Sequence, residues 1–276
     1  MIPPKLRQFW QIRWLCSASI LACFCVLWLV PTGYGQAENR PAELQKSCDG
    51  GNAQDCKRLG DMYRRSHLPD AKTKSAALYQ KALPFYQKAC DGGDAKRCGD
   101  LGYMYADGLG VPSDMPKAAQ LWRRACDASD AAGCYALGNM YQGRDGVYPS
   151  VPGLTQDDAK AVALYQKALP LLLRACDGGD AGSCGNLGMM YEDGKGVPKD
   201  FAKVAQFWKK ACDGGDTGMC VMLGDWYYFG ASGAPTPSGA PNIIIPKDTA
   251  KAIALYQKAC DDWYWVGCVK VKMYAK

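Results

Sequence analysis

Twelve of the fifteen cysteines fall into six pairs, and the two members of every pair stand eight positions apart. Cys48 pairs with Cys56, Cys90 with Cys98, Cys126 with Cys134, Cys176 with Cys184, Cys212 with Cys220, and Cys260 with Cys268. In one continuous helix, residues eight apart lie about 12 Å apart along the axis. A disulfide needs Cα atoms within roughly 7 Å. The segment between paired cysteines resolves the conflict, because it reads Asp-Gly-Gly-Asp at three of the six sites (Asp91 to Asp94, Asp177 to Asp180 and Asp213 to Asp216). One helix ends just after the first cysteine, an antiparallel helix starts after the turn, and the sulfurs face each other across a hairpin. Closing so short a loop stabilises by about 2.5 kcal/mol on chain-entropy grounds.

The sequence around the pairs recurs too. After the second cysteine comes Leu-Gly-x-Met-Tyr, at Leu59 to Tyr63, Leu101 to Tyr105, Leu137 to Tyr141 and Leu187 to Tyr191, with Leu223-Gly-Asp-Trp-Tyr227 as a variant. A loop follows, such as Asp107-Gly-Leu-Gly-Val-Pro112, and then a second apolar-periodic run up to the next first cysteine. First cysteines are separated by 42, 36, 50, 36 and 48 residues, so the unit is 36. The excesses have local causes. Tyr79 to Phe85 is followed by a second Tyr-Gln-Lys-Ala at Tyr86 to Ala89, a seven-residue duplication of about two helical turns. Tyr165 to Leu171 repeats it, with Pro84 and Pro170 in matching places, and residues 143–155 and 230–246 are loop insertions. A 36-residue period with two helical runs per unit predicts an all-α, α/α superhelical solenoid with one disulfide per repeat, in which neighbours must stack to bury their apolar faces. About five helix pairs with terminal half-repeats are expected over residues 38–276. Gly102 and its equivalents allow close helix approach, and Asp94, Asp180 and Asp216 stand at N-cap positions.

Residues 1–37 read differently. Lys5, Arg7 and Arg13 precede an apolar run over 14–30, and Gly35-Gln36-Ala37 gives small residues at the positions a signal peptidase requires. This is the layout of a secretory leader. The alternative is an uncleaved anchor, since 17 apolar residues sit at the lower edge for spanning a bilayer. Without the leader, 30 Lys and Arg face 27 Asp and Glu, too mild a balance for nucleic acid. Twelve paired cysteines and a leader place the protein in the periplasm or outside the cell. The leader also argues against mitochondrial import, for it lacks an Arg/Ser-rich amphipathic stretch. Membrane contact is expected only through an uncleaved leader.

The Leu-Gly-x-Met-Tyr element, the Gly-Val-Pro loop and the Lys-Ala-Cys run resemble Sel1-like repeats. A cysteine pair in every unit is similar to the bacterial cysteine-rich Sel1 subfamily known from Helicobacter. The resemblance covers residues 41–276. It implies a TPR-like solenoid with a concave binding face, of the kind found in cell-envelope and host-contact proteins. It also implies an alternative, since some members of that subfamily are described as penicillin-binding proteins or weak β-lactamases.

Motifs for chemistry are scarce. The mature chain has no Ser-x-x-Lys, Ser113 and Lys117 being one position too far apart, and Lys72-Thr73-Lys74 only partly matches the lactamase Lys-Thr-Gly element. Zinc sites need closer cysteines or several histidines, and His67 is the one histidine here, placed in a loop before Pro69. No metal or cofactor is expected. Gly188 to Lys195 is one residue too long for a phosphate-binding loop, and the Asp-Gly-Gly-Asp turns lack the oxygen ladder of a calcium loop.

What varies between units marks where a partner would bind. First helices line the inner curve of a solenoid, so their variable positions form a strip. These are Arg58, Asp100 and Asn186 before the Leu; Asp61, Tyr103, Asn139, Met189 and Asp225 at the x position; and Arg64, Gln142, Glu192 and Tyr228 after the Tyr. The expected occupant is a protein or peptide, with a cell-wall-like ligand as the alternative. Trp263-Tyr264-Trp265 replaces the turn glycines of the last unit and is expected to cover the open end of the stack.

Overall fold

The structure, a computed structural model, describes residues 34–143, 156–233 and 242–275. The chain separates into Met1–Asn39 and Arg40–Lys276. The leader expected over residues 1–37 lies outside the described residues up to residue 33. Among the described residues, no helix is long and apolar enough to cross a membrane.

Twelve helices are described: α1 (Tyr34–Asp49), α2 (Ala53–Arg65), α3 (Ala71–Asp91), α4 (Ala95–Ala106), α5 (Met115–Asp127), α6 (Ala131–Gln142), α7 (Asp158–Asp177), α8 (Ala181–Asp193), α9 (Phe201–Asp213), α10 (Thr217–Phe229), α11 (Thr249–Asp261) and α12 (Trp265–Tyr274). They pack as five pairs, α2/α3 through α10/α11, flanked by α1 and α12. Among the described residues, the one departure from helices and their connections is a short antiparallel ladder, β1 (Ala231–Gly233) with β2 (Asn242–Ile245), at the base of the expected 230–246 insertion. Between the strands, residues 234–241 lie outside the described residues.

Each hairpin between repeats is closed by a disulfide. Cys48 is bridged to Cys56 with Cα atoms 4.6 Å apart, Cys90 to Cys98 at 4.6 Å, and Cys126 to Cys134 at 4.4 Å. Cys176 is bridged to Cys184 at 4.8 Å, Cys212 to Cys220 at 4.7 Å, and Cys260 to Cys268 at 4.6 Å. The turn forces the second residue after the acid into a left-handed conformation. Glycine takes it at Gly51, Gly93, Gly179 and Gly215, but Ser129 (φ 66°) and Trp263 (φ 65°) occupy the same place. The residue that ends the turn caps the next helix. Asp94, Asp130, Asp180 and Asp216 each accept a backbone N–H from the first turn of α4, α6, α8 and α10.

Within a repeat, the Leu-Gly-x-Met-Tyr helix meets its partner by seating a large aromatic ring against the glycine. Tyr79 lies on Gly60, Trp122 on Gly102, Tyr165 on Gly138, Trp208 on Gly188 and Tyr256 on Gly224. All five rings are essentially fully buried. A second device closes the loop. The N-cap aspartate of each later second helix donates its N–H to the carbonyl of the motif tyrosine: Asp114 to Tyr105 (2.9 Å), Asp157 to Tyr141 (2.9 Å), Asp200 to Tyr191 (3.1 Å) and Asp248 to Tyr227 (2.7 Å). A lysine from the first turn of the second helix then lies over that tyrosine's ring, as Lys117 over Tyr105 (4.1 Å) and Lys203 over Tyr191 (4.6 Å). The clamp is the same whatever length of loop lies above it.

The two lengthened helices show what a duplicated pair of turns does. In units of standard length, the basic residue two places before the first cysteine reaches back to the acid after the previous one: Arg124 to Asp91 (3.5 Å) and Lys210 to Asp177 (3.1 Å). In α3 and α7 the upstream copy takes that role instead, Lys81 pairing with Asp49 (2.8 Å) and Lys167 with Asp127 (3.9 Å). The downstream copies, Lys88 and Arg174, are released from it.

Candidate partner-binding groove

First helices line the inner side, where α4 touches α6 and α6 touches α8. They enclose a groove of about 890 Å³. Its walls carry Lys96, Asp100 and Tyr103 from α4, Asp130 at the start of α6, Ser183, Asn186 and Met189 from α8, and Met219 from α10. Leu171 and Arg174 of the lengthened α7 complete one side, and Arg65 at the end of α2 closes another. The second cysteines of the hairpins, Cys56, Cys98, Cys134, Cys184, Cys220 and Cys268, belong to the same first helices but do not line the groove. Their sulfurs are spent in the bridges to the preceding helices, so they position the wall without forming part of it.

The electrostatics are mixed. Asp130, Asp180 and Asp216 all face the groove while serving as N-caps, where helix N-termini favour negative charge. Burial pushes the Asp130 carboxyl up, and the neighbouring Asp100 and Asp180 carboxylates add to this, against the Gly133 N–H bond (2.7 Å) and Lys96. Burial also pushes Asp180 up, but the Ser183 N–H and Lys96 outweigh it, and its carboxyl lies below the usual range. Lys96 reaches Asp180 at 3.2 Å, linking α4 to α8 over a separation of 84 residues. Arg65 similarly donates to the Thr217 hydroxyl at 3.1 Å, 152 residues away. Farther along the same side, Arg40 pairs with Asp262 (2.7 Å) and the His67 ring stacks on Trp265 at 4.7 Å. The first and last repeats therefore touch directly, and Trp265 meets the first repeat as well as standing at the end of the stack.

Of the twelve strip residues, four line the groove: Asp100, Tyr103, Asn186 and Met189. The x position explains the division. In the first, third and fifth pairs the seated ring is a tyrosine, and x supplies an acceptor for its hydroxyl: Tyr79 donates to Asp61 (2.6 Å), Tyr165 to Asn139 (2.8 Å) and Tyr256 to Asp225 (2.6 Å). These side chains are committed to the repeat itself. In the second and fourth pairs the ring is a tryptophan whose N–H does not go to x: Trp122 Nε1 donates to the Gly99 carbonyl (3.2 Å), and Trp208 Nε1 is buried with no acceptor among the described residues. There Tyr103 and Met189 reach the groove. Gln142 also accepts from Tyr165 (3.0 Å), and Tyr228 stacks on Tyr274 with centroids 3.9 Å apart. Arg58 pairs with Asp55 (3.3 Å). Arg64 lies beside a second cavity of about 560 Å³, with His67, Lys72 and Tyr79. Glu192 is partly buried, and burial together with Asp193 raises its carboxyl. The strip read from the sequence thus runs about one turn beyond the groove toward the helix C-termini, and the groove takes in Lys96, Asp130, Ser183 and Met219 besides. Arg174 also lies outside the strip, although the duplication that frees that residue is legible. The Lys72-Thr73-Lys74 triplet forms the first turn of α3, where Lys74 pairs with Asp70 at 2.7 Å. Among the described residues, no group of three or more His, Cys, Asp or Glu side chains is placed to hold a metal ion.

The Sel1 repeat family matches residues 55–94, 98–130, 131–169, 181–216 and 239–262, together well over half of the chain. Among solved structures, the chain is similar to a Sel1 repeat protein of Oxalobacter formigenes, at 24% identity and a TM-score of 0.46, over 82% of this chain and 79% of that one. It is similar to a protective antigen of uropathogenic Escherichia coli strains, at 23% identity and a TM-score of 0.41, over 84% and 50% of the two chains. Cysteine rich protein B of Helicobacter pylori shares 26% identity with a TM-score of 0.33, over 54% of this chain and 96% of its own. No curated protein sequence matches the chain. Four of the five matches fall on helix pairs with their seated aromatic rings, the fifth covers α11 with Tyr256, and the chain belongs to the Sel1 repeat family.

Proposed function

We propose that this protein is an exported repeat scaffold that binds a protein or peptide partner in its inner groove, in the periplasm or outside the cell. The observation that carries the reading is the groove itself. It is built from four non-consecutive helices, α2, α4, α8 and α10, with the start of α6 and the end of α7, and Tyr103, Asn186 and Met189 are among the side chains that line it. Six covalent staples fix the hairpins that carry those helices, so the cavity exists before a partner arrives, which lowers the ordering cost of binding. Disulfides of this density belong to oxidising compartments, and the leader over residues 1–37 supplies the route there.

Affinity capture from envelope extract with the oxidised protein tests the reading. Asn186→Arg with Met189→Arg fills the groove wall and should abolish retention of a specific partner. Arg58→Glu on the α2 surface should leave it unchanged. Identical retention by wild type and the groove variant would dismiss the inner face as the binding site.

A further inference from the structure

We infer that the occupant of the groove is an extended peptide segment bearing carboxylates, held by Arg174 and Arg65. This rests on the peptide-binding reading above and names the chemistry of the partner. Four aspartates line the cavity, and each already has a partner inside the protein. Asp100 is paired with Arg97 at 3.0 Å. Asp180 takes the Ser183 N–H (3.1 Å) and Lys96 (3.2 Å). Asp216 takes the N–H groups of Gly218 (3.0 Å) and Met219 (3.1 Å), and Asp130 that of Gly133 (2.7 Å). Three of these acids also sit on helix N-termini, whose partial positive charge offsets them.

The two guanidinium groups stand differently. Arg174 is exposed, lines the groove, and makes no side-chain ion pair or hydrogen bond among the described residues. Its counterparts in the standard-length units, Arg124 and Lys210, are bound to the acid of the preceding turn. The duplicated turns of α7 explain the contrast, since Lys167 takes that acid and leaves Arg174 turned to the cavity. Arg65 meets a hydroxyl, that of Thr217, and no carboxylate within ion-pair distance among the described residues. A guanidinium presents paired N–H donors that match a carboxylate in a fork geometry, a stronger and more directional contact than an ammonium makes. Tyr103, Asn186 and Met189 between them offer hydrogen-bonding and apolar wall to a peptide backbone and its side chains.

The test is selection of a phage-displayed library of random dodecapeptides on the immobilised, oxidised protein. The wild-type pool should carry at least a threefold enrichment of Asp and Glu over the input. Arg174→Gln, an exposed substitution whose melting temperature should match wild type, should lower that enrichment, Arg65 remaining as the second cation. Lys88→Gln, the equally released cation of α3, should leave the enrichment intact. A wild-type pool with no acidic enrichment, or one unchanged by Arg174→Gln, overturns this inference while leaving the peptide-binding reading standing. Failure of the wild-type protein to select any peptide above a blank surface overturns both.

Discussion

Gly138→Ala is expected to destabilise the protein although alanine is the better helix former. A Cβ added at Gly138 would stand 2.7 Å from Cε1 and 2.9 Å from Cδ1 of Tyr165. Carbon atoms prefer roughly 3.5–4.0 Å, so the ring must retreat by about 1 Å. It has no room to do so, being fully buried and tethered through its hydroxyl to Asn139 and Gln142. Overpacking of this kind costs about 2–3 kcal/mol. The gain in helix propensity returns about 1 kcal/mol. The net loss is about 1–2 kcal/mol, a fall of roughly 2–8 °C in melting temperature for a domain of this size. Gly182→Ala is the control: it sits in the first turn of α8, and its added Cβ meets just the Asp180 carboxylate at 3.4 Å. It should be neutral or stabilise by up to about 0.5 kcal/mol. Differential scanning calorimetry of oxidised protein reads both. A double variant, Gly138→Ala with Tyr165→Leu, should be no less stable than Tyr165→Leu alone, because the two changes share one contact. Equal melting temperatures for wild type and Gly138→Ala would refute the seated-ring account of how repeats close.

Three further outcomes follow from particular residues. Ser129→Gly relieves a left-handed backbone that glycine adopts in four of the other five turns, and should stabilise by about 0.5–1 kcal/mol in thermal melts. Asp130→Asn should raise the melting temperature at pH 7, because asparagine keeps the cap on α6 while removing a carboxylate that burial and two acidic neighbours disfavour. The folded-state pKa of Asp130 is raised above the unfolded one, so the penalty is present at neutral pH and vanishes once both states are protonated; melts below about pH 3.5 should show no advantage. Replacing residues 144–155 by a short Gly-Ser linker should shift the melting temperature by no more than about 2 °C, since Asp157 N–H already closes the loop base on Tyr141.

Much of the fold can be read from spacing. Cysteines eight apart with a turn between them dictate a hairpin, and the 36-residue period dictates stacked pairs. The lengthened second helices are visible as a repeated Tyr-Gln-Lys-Ala. The groove is less legible, for a physical reason. Variation at the x position looks like freedom to meet a partner, yet at Asp61, Asn139 and Asp225 it is matched to a tyrosine 18, 26 and 31 residues away. Only the pairing of x with the seated ring, tyrosine or tryptophan, separates side chains that accept from that ring from Tyr103 and Met189, which line the groove, Tyr103 while packing edge-on against Trp122. Which ends of the first helices converge depends on the superhelical curl, and no local motif encodes it. Contacts such as His67 with Trp265, between repeats far apart in sequence, are likewise a consequence of accumulated curvature.

The most direct test of the account is a disulfide map of the native protein by mass spectrometry of a non-reduced digest. Every hairpin should carry its own bond: Cys48 with Cys56, Cys90 with Cys98, Cys126 with Cys134, Cys176 with Cys184, Cys212 with Cys220, and Cys260 with Cys268, with no free thiol among them. A bond between different hairpins, or unmodified thiols at any of these sites, would contradict the stapled stack on which the groove depends.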